Sequence, residues 1–182
     1  EMSSSALPSA VSTALVSVVM PAYKAYYLKQ ALDSVQSQSH RPLELVVCDD
    51  SAGTEIEQMV RSFAEQADFA VHYQRNQPRL GEARSMARAI GLSQGRYIKF
   101  LHDDDVLQPE CIRSLCAVLE AHPKVALVTS SRVNIDEHGK VLGDHDSSRY
   151  PFAGNVVLNG ADVIDYIHES PNTPNTCLLY TS

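Results

Sequence analysis

The feature that most constrains this chain is a repeated alternation of short apolar runs with apolar stripes at helical spacing. Residues 15–20 are almost continuously apolar and valine-containing, closed by Pro21, which predicts a strand buried on both faces. Leu28, Ala31, Leu32 and Val35 then fall at i, i+3, i+4 and i+7, one stripe of a helix ending near Ser39 and His40. Residues 43–48 repeat the buried-strand pattern, and Thr54 with Glu57 has capping-box spacing before the helical face of Ile56, Met59, Val60 and Phe63. Phe69, Val71 and Tyr73 alternate with smaller or polar residues and predict a third, less buried strand. Ala83, Met86, Ala87 and Ile90 predict a third helix, with Gly95 expected to end it in the left-handed conformation. Residues 97–101 predict a fourth strand that runs directly into Asp103, Asp104 and Asp105. Pro109 then opens a helix carrying Ile112, Leu115, Cys116 and Leu119.

Beyond these units, residues 125–128 predict a fifth strand. Glu137, His138, Gly139 and Lys140 predict a hairpin turn between residues 132–135 and 141–142. Residues 159–168 predict a last short helix, and Pro171 and Pro174 mark loop. Such alternation implies an α/β fold with an open, mostly parallel sheet, helices on both faces, and a ligand site beyond the carboxyl ends of the strands. At 182 residues, 44% of them hydrophobic, the chain can bury one core without staples. We expect a disordered leader over residues 1–14 and one domain over 15–182, incomplete at its C-terminal end. The Glu-Met opening and the end at Tyr180, Thr181 and Ser182 suggest a piece of a longer protein.

Charge and cysteines narrow the function. A formal net charge of -7 without clustered Lys and Arg argues against a nucleic-acid partner. Cys48, Cys111, Cys116 and Cys177 form no C-x-x-C pair, and three lie in apolar runs, which favours buried thiols and a cytoplasmic setting. The leader has neither a basic start nor an apolar run long enough for a signal peptide or membrane span.

Polar motifs stand at the ends of the predicted strands. Pro21, Ala22, Tyr23 and Lys24 follow the first strand and lack G-x-G-x-x-G, which argues against a dinucleotide-binding dehydrogenase; Tyr23 offers a ring against a nucleobase, or is a plain surface turn residue. Asp49, Asp50 and Ser51 end the second strand, where a carboxylate can accept a base N–H, although Asp and Ser also serve ordinary turns. Asn76, Gly81, Arg84 and Arg88 flank the start of the third helix, whose amino end favours phosphate, with Arg84 as the charge-assisted partner and Arg88 expected to be a solvated face. The triplet Asp103, Asp104 and Asp105 is the sharpest signal. Adjacent carboxylates at the mouth of a buried strand repel one another unless a cation offsets them, and Mg²⁺ or Mn²⁺ takes such oxygen ligands together with substrate phosphate. His138 and His145 with Asp136, Asp144 and Asp146 surround a glycine turn without helical metal-site spacing and are expected to be solvated loop.

Taken in order, Val18-Val19-Met20-Pro21-Ala22-Tyr23, Val46-Val47-Cys48-Asp49-Asp50-Ser51, residues 81–90 and Gly95-Arg96-Tyr97-Ile98-Lys99-Phe100-Leu101-His102-Asp103-Asp104-Asp105 resemble glycosyltransferase family 2 across residues 16–179. That resemblance implies the GT-A fold, a Rossmann-like three-layer sandwich. It also implies a nucleoside-diphosphate sugar donor, UDP-linked, and a saccharide or lipid acceptor. Pro21, Ala22 and Tyr23 match the nucleoside-binding strand end, Asp50 the carboxylate that contacts the base, and Arg84 falls near the phosphate-side helix. Asp103 to Asp105 match the D-x-D metal motif: Asp103 and Asp104 would face the donor, and Asp105 with Asp103 would hold Mg²⁺ or Mn²⁺. Three features depart from the pattern: His102 where members often carry Asp, Ser51 and Ala52 in place of Gly, and Ser85 and Ala87 in place of Asn.

The reaction so implied is an inverting displacement at the anomeric carbon, with the metal on the departing diphosphate and a carboxylate base on the acceptor hydroxyl. That base is expected beyond Ser182, since Asp136, Glu137, Asp144 and Asp146 are explained by an acidic hairpin. Membrane association, at the inner face, would run through the missing C-terminal part. Two alternatives stay open: a module that binds nucleotide sugar without turnover, and a sugar nucleotidyltransferase. The latter needs a glycine-rich basic loop after the first strand, which residues 21–27 lack.

Overall fold

A computed structural model describes residues 12–130, 132–142 and 177–180. The chain alternates as expected: β1 (Val16–Ala22), α1 (Leu28–Gln36), β2 (Leu43–Asp49), α2 (Glu55–Ala64), β3 (Ala70–Arg75), α3 (Glu82–Leu92), β4 (Tyr97–Phe100), α4 (Cys111–Ala121) and β5 (Leu127–Thr129). A further strand, β6 (Cys177–Tyr180), was not expected from the loop-like Pro171 and Pro174 before it. The six strands form one sheet in the order β3-β2-β1-β4-β6-β5. β1 pairs parallel with β2 and β4, and β2 with β3, whereas β6 runs antiparallel to β4 with Tyr180 opposite Tyr97.

β1 and β2 are buried along their whole length, as continuous apolar runs in a parallel sheet covered on both faces must be. Alternate residues face opposite layers. Val16, Val18 and Met20 join Leu28, Leu32, Ile56, Val60, Ile112 and Leu115 in the larger core, which places α1, α2 and α4 on one face. Val19, Val46 and Ile98 join Ala89, with Met86 and Ile90 packed alongside, which places α3 on the other. The result is the three-layer α/β sandwich expected of a GT-A fold.

Several local expectations need correction. Thr54 precedes α2 but makes no side-chain cap bond; Glu57 is drawn to Arg61 instead, at 2.7 Å. α3 buries Ser85 and Ala89 rather than Ala83 and Ala87, so its inward stripe is turned from the apolar count. Gly95 does not end that helix in the left-handed region, because Ser93 caps it in an extended conformation. Gly95 is there for closeness: a Cβ at this position would lie 2.5 Å from Ser17 Oγ and 2.6 Å from Ser17 N. Its own N–H donates to Ser17 Oγ at 2.8 Å, and that hydroxyl donates in turn to buried Glu44.

The described residues fall into two units, 12–128 with 177–180 in one and those from 129 to 142 in the other. Among the described residues there, the expected hairpin shows as a bridge between Ile135 and Val141 flanked by the bonds Asp136 N to Lys140 O at 3.0 Å and Leu142 N to Asn134 O at 2.9 Å, with Gly139 at φ 77. Asp136 organises the turn: its Oδ1 accepts from the backbone N–H of His138 and of Lys140, both at 2.9 Å. That explains one of the acidic residues there by the turn alone. Residues 1–11 of the leader expected over 1–14, the predicted helix at 159–168, and Asp144, His145 and Asp146 lie outside the described residues, whereas Ser12 is described and donates to Glu120 Oε1 at 3.1 Å. Among the described residues no helix is long and apolar enough to cross a membrane.

Candidate functional site

Because β1, β2 and β4 are parallel neighbours, their carboxyl ends release three loops on the same edge of the sheet. The loop after β1 begins with Tyr23, half exposed at 52%. Pro21 and Ala22 are buried in the strand, and the Ala22 carbonyl accepts the Asp50 N–H at 2.8 Å, so these two residues set the position of the loop rather than present side chains to it. The loop is then tied to the acidic triplet. Asp103 Oδ2 accepts from Tyr23 N at 2.6 Å and from Lys24 N at 2.8 Å.

Asp50 is the second tie. Its side chain is buried, Oδ1 accepts from Asn76 Nδ2 at 2.8 Å and Leu80 N at 3.0 Å, and Oδ2 accepts from Gly81 N at 2.6 Å while sharing Leu80 N at 3.2 Å. Burial works to raise this carboxyl, but the donors from Leu80, Asn76 and Gly81 and the charge of Arg79 outweigh it and hold the group below the usual aspartate range. Gly81, at φ 78, is the residue that allows the backbone to turn both N–H groups inward before α3 starts. Asp50 thus places one carboxylate at the amino end of α3, on the Leu80 and Gly81 N–H groups that precede the helix.

A second layer supports that carboxylate. Asn76, almost fully buried, also donates to Ser85 Oγ at 3.0 Å, and Ser85 donates to the Cys48 carbonyl at 3.1 Å. Arg88 Nη1 donates to Asn76 Oδ1 at 2.9 Å. Arg88 is exposed, as expected from the sequence, and it also buttresses the loop through Asn76. Arg84, one turn earlier, is exposed and has no hydrogen-bond or ion-pair partner among the described residues, which leaves it available to a ligand. The same loop carries Arg79, whose guanidinium stacks 4.5 Å from the Tyr23 ring centroid. Sequence reasoning passed over Arg79, because an isolated Arg in a Pro-containing loop carries no periodic signal.

Asp49, adjacent to Asp50, has a different task. Fully buried, it accepts from Tyr73 OH at 2.6 Å, Arg75 Nη2 at 2.8 Å and Ser51 N at 2.7 Å, and so fastens β2 to β3. Burial and the bond to Asp49 push the Tyr73 hydroxyl up to about 12. The thiols of Cys48, Cys111 and Cys116 are all pushed up by burial, Cys116 to about 12, so none is poised as a nucleophile.

At the exit of β4, Leu101 is buried and its N–H donates to the Val19 carbonyl at 3.1 Å, which fixes where the acidic segment begins. The chain then turns, with Asp105 N donating to the His102 carbonyl at 3.3 Å. This turn sends Asp103 toward Tyr23 and gathers His102, Asp104 and Asp105, whose candidate ligand atoms lie within 4.8 Å of one another. One imidazole and two carboxylates at that spacing form a donor set that fits a divalent ion with open positions for phosphate and water. Of the expected pair, Asp105 lies in this group, while Asp103 Oδ2 accepts from the backbone of the β1–α1 loop. His102 Nε2 also lies 3.6 Å from Glu82 Oε1 on the first turn of α3, longer than a hydrogen bond.

Comparison with known proteins bears on the whole segment. The family model described as Glycosyl transferase family 2 matches residues 17–169. An uncharacterized glycosyltransferase of Methanocaldococcus jannaschii is 28% identical over 141 residues, 76% of this chain and 48% of its own length. The Escherichia coli UDP-Glc:alpha-D-GlcNAc-diphosphoundecaprenol beta-1,3-glucosyltransferase is 32% identical over 93 residues, 50% of this chain and 36% of its own. Among solved structures, a mannosyltransferase from Pyrobaculum calidifontis in complex with GDP-Man and Mn2+ superposes with a TM-score of 0.62 at 23% identity, covering 71% of this chain and 40% of that one. The chain spans about half the length, or less, of these relatives.

Proposed function

This chain belongs to glycosyl transferase family 2, and from that premise we propose that it is the donor-binding part of an enzyme that moves a sugar from a nucleoside diphosphate to a saccharide or lipid acceptor. The observation that carries the reading is the convergence of three loops: Asp103 joins the acidic turn to Tyr23, Asp50 holds the Arg79 loop, and Arg79 meets Tyr23. The base-binding side is assigned to Tyr23 and Asp50. The Tyr23 ring offers a stacking face, and Asp50, whose two oxygens accept from three donors, Asn76, Leu80 and Gly81, keeps one lone-pair site for an N–H from the base. Pro21 and Ala22 supply the rigid strand end beneath them. The diphosphate is assigned to the space between Asp104 and Arg84.

His102, Asp104 and Asp105 are assigned to a divalent ion, Mg²⁺ or Mn²⁺. When bound, such an ion would neutralise the charge that develops on the departing diphosphate. The chain's own residues do the rest of the donor-side work: Asp103 keeps Tyr23 in register with the turn, and the Asp50, Asn76 and Arg88 chain keeps Arg79 against Tyr23, with Arg84 on the phosphate side. The base that deprotonates the acceptor is assigned to none of the described residues. UDP is the nucleotide to examine first, because the Escherichia coli relative is named for UDP-glucose. The lipid-linked acceptor in that name supports work at the inner face of a membrane in polysaccharide assembly. A module that binds donor without turnover is the alternative.

The test is a thermal-shift panel of UDP, GDP, ADP and free phosphate, each with Mn²⁺ or with chelator, followed by hydrolysis of radiolabelled UDP-sugar. Metal-dependent stabilisation by a nucleoside diphosphate, exceeding that of phosphate, is expected. Stabilisation by phosphate alone, or by none of the four, rejects the donor-site reading. Released sugar separates an enzyme from a silent binding module.

A further inference from the structure

Resting on the donor-site reading above, we infer that His102 is a direct nitrogen ligand of the divalent ion and makes the site select Mn²⁺ over Mg²⁺. The geometry is specific to the turn after β4. Leu101 is anchored to Val19, Asp105 N closes back on the His102 carbonyl, and Asp103 is drawn off to Tyr23 and Lys24. Beside it, an imidazole and two carboxylates come together, with candidate ligand atoms within 4.8 Å of one another. The His102 side chain is 27% exposed and so held against the protein, whereas Glu82, its carboxylate neighbour at 3.6 Å, is 75% exposed and a weakly held partner. Glu82 therefore does not account for the position of the ring.

Donor chemistry sets the selectivity. Mg²⁺ demands oxygen ligands in near-ideal octahedral geometry and dehydrates reluctantly, whereas imidazole suits first-row transition ions. Two carboxylates and a neutral ring also give the site one negative charge fewer than three carboxylates would, which weakens its hold on a hard ion further. Replacing the ring by a carboxylate, His102→Asp, turns the set into three oxygen donors and moves its preference toward Mg²⁺.

The experiment is pulsed electron paramagnetic resonance on the chain with Mn²⁺ and UDP, repeated with GDP, where a directly coordinated imidazole imprints nitrogen modulation on the Mn²⁺ echo. The native protein is expected to show that modulation, and His102→Asp and His102→Gln to lose it, with folding checked by circular dichroism. In competition, displacing Mn²⁺ from the native site is expected to need about tenfold more Mg²⁺ than displacing it from His102→Asp, the scale on which a single change at a metal site acts. Bound Mn²⁺ without nitrogen modulation, or modulation that survives in both variants, overturns the role of His102 and leaves the donor site standing. A folded protein that binds no Mn²⁺ with either nucleotide overturns the donor-site reading and this inference with it.

Discussion

Replacing Asp50 with Asn takes the charge from a buried carboxylate that Asn76, Leu80 and Gly81 share as acceptor. The amide oxygen can keep the Asn76 and Leu80 bonds, now neutral, but its NH2 then faces the Gly81 N–H, donor against donor. Hydrogen bonds to a charged group contribute about 1.5–3 kcal/mol and neutral ones about 1, while an unsatisfied buried donor costs about 1–3, so the loss is expected to be about 3–5 kcal/mol. Urea unfolding reads the stability, and hydrogen exchange reads the Leu80 and Gly81 amides, which should lose protection ahead of the β1 and β2 amides. Arg88→Ala acts on the same chain through Asn76 Oδ1, so the double variant is expected to be non-additive by about 0.5–3 kcal/mol. A loss below about 1 kcal/mol, with unchanged protection at Leu80 and Gly81 and additive Arg88→Ala, would refute the view that Asp50 organises this loop.

Acid should act at the same residue. Asp50 is held below the ordinary carboxyl value in the folded chain, so its contribution is fully present above the unfolded value of about 3.9 and is lost as pH falls through the folded one. Urea midpoints between about pH 2 and 6 should show an acid limb that is shallower in Asp50→Asn; parallel limbs would contradict the assignment. Asp103→Ala removes the acceptor for Tyr23 N and Lys24 N, and loss of about 1.4 kcal/mol of loop order would weaken UDP about tenfold with little change in overall stability. Unchanged UDP affinity by calorimetry would show that the loop holds without it. Gly95→Ala drives a Cβ into the Ser17 backbone and should cost about 1–3 kcal/mol. Adding Ser17→Ala should not restore the midpoint, because Ser17 N stays 2.6 Å from the new atom.

The parallel core was legible in the sequence because it depends on runs such as residues 43–48, where continuous burial leaves a continuous apolar signature. The strand β6 was not, since a short apolar stretch following two prolines carries the same local pattern as a loop and gains its pairing from its sheet neighbours β4 and β5. For the site, residue type located the acidic turn but not the division of labour within it. Three consecutive aspartates look alike on paper; the Leu101 anchor and the closing bond from Asp105 decide that Asp103 points to Tyr23 while His102 joins the other two. Arg88 was obscured for a similar reason. Its helix position is exposed, and only the buried Asn76 across the loop gives its guanidinium a purpose. Gly95 was assigned to the wrong physical cause, because a glycine demanded by a neighbour's backbone leaves no trace in its own local sequence.

Titration calorimetry of UDP against the native chain and Asp105→Ala, each with Mn²⁺ and with chelator, probes the central relation between the acidic turn and a nucleoside diphosphate. Binding that requires Mn²⁺ in the native chain and loses that requirement, with most of its affinity, in Asp105→Ala is the predicted result. Equal affinity with and without metal in the native chain, or an Asp105→Ala titration indistinguishable from native, would contradict it.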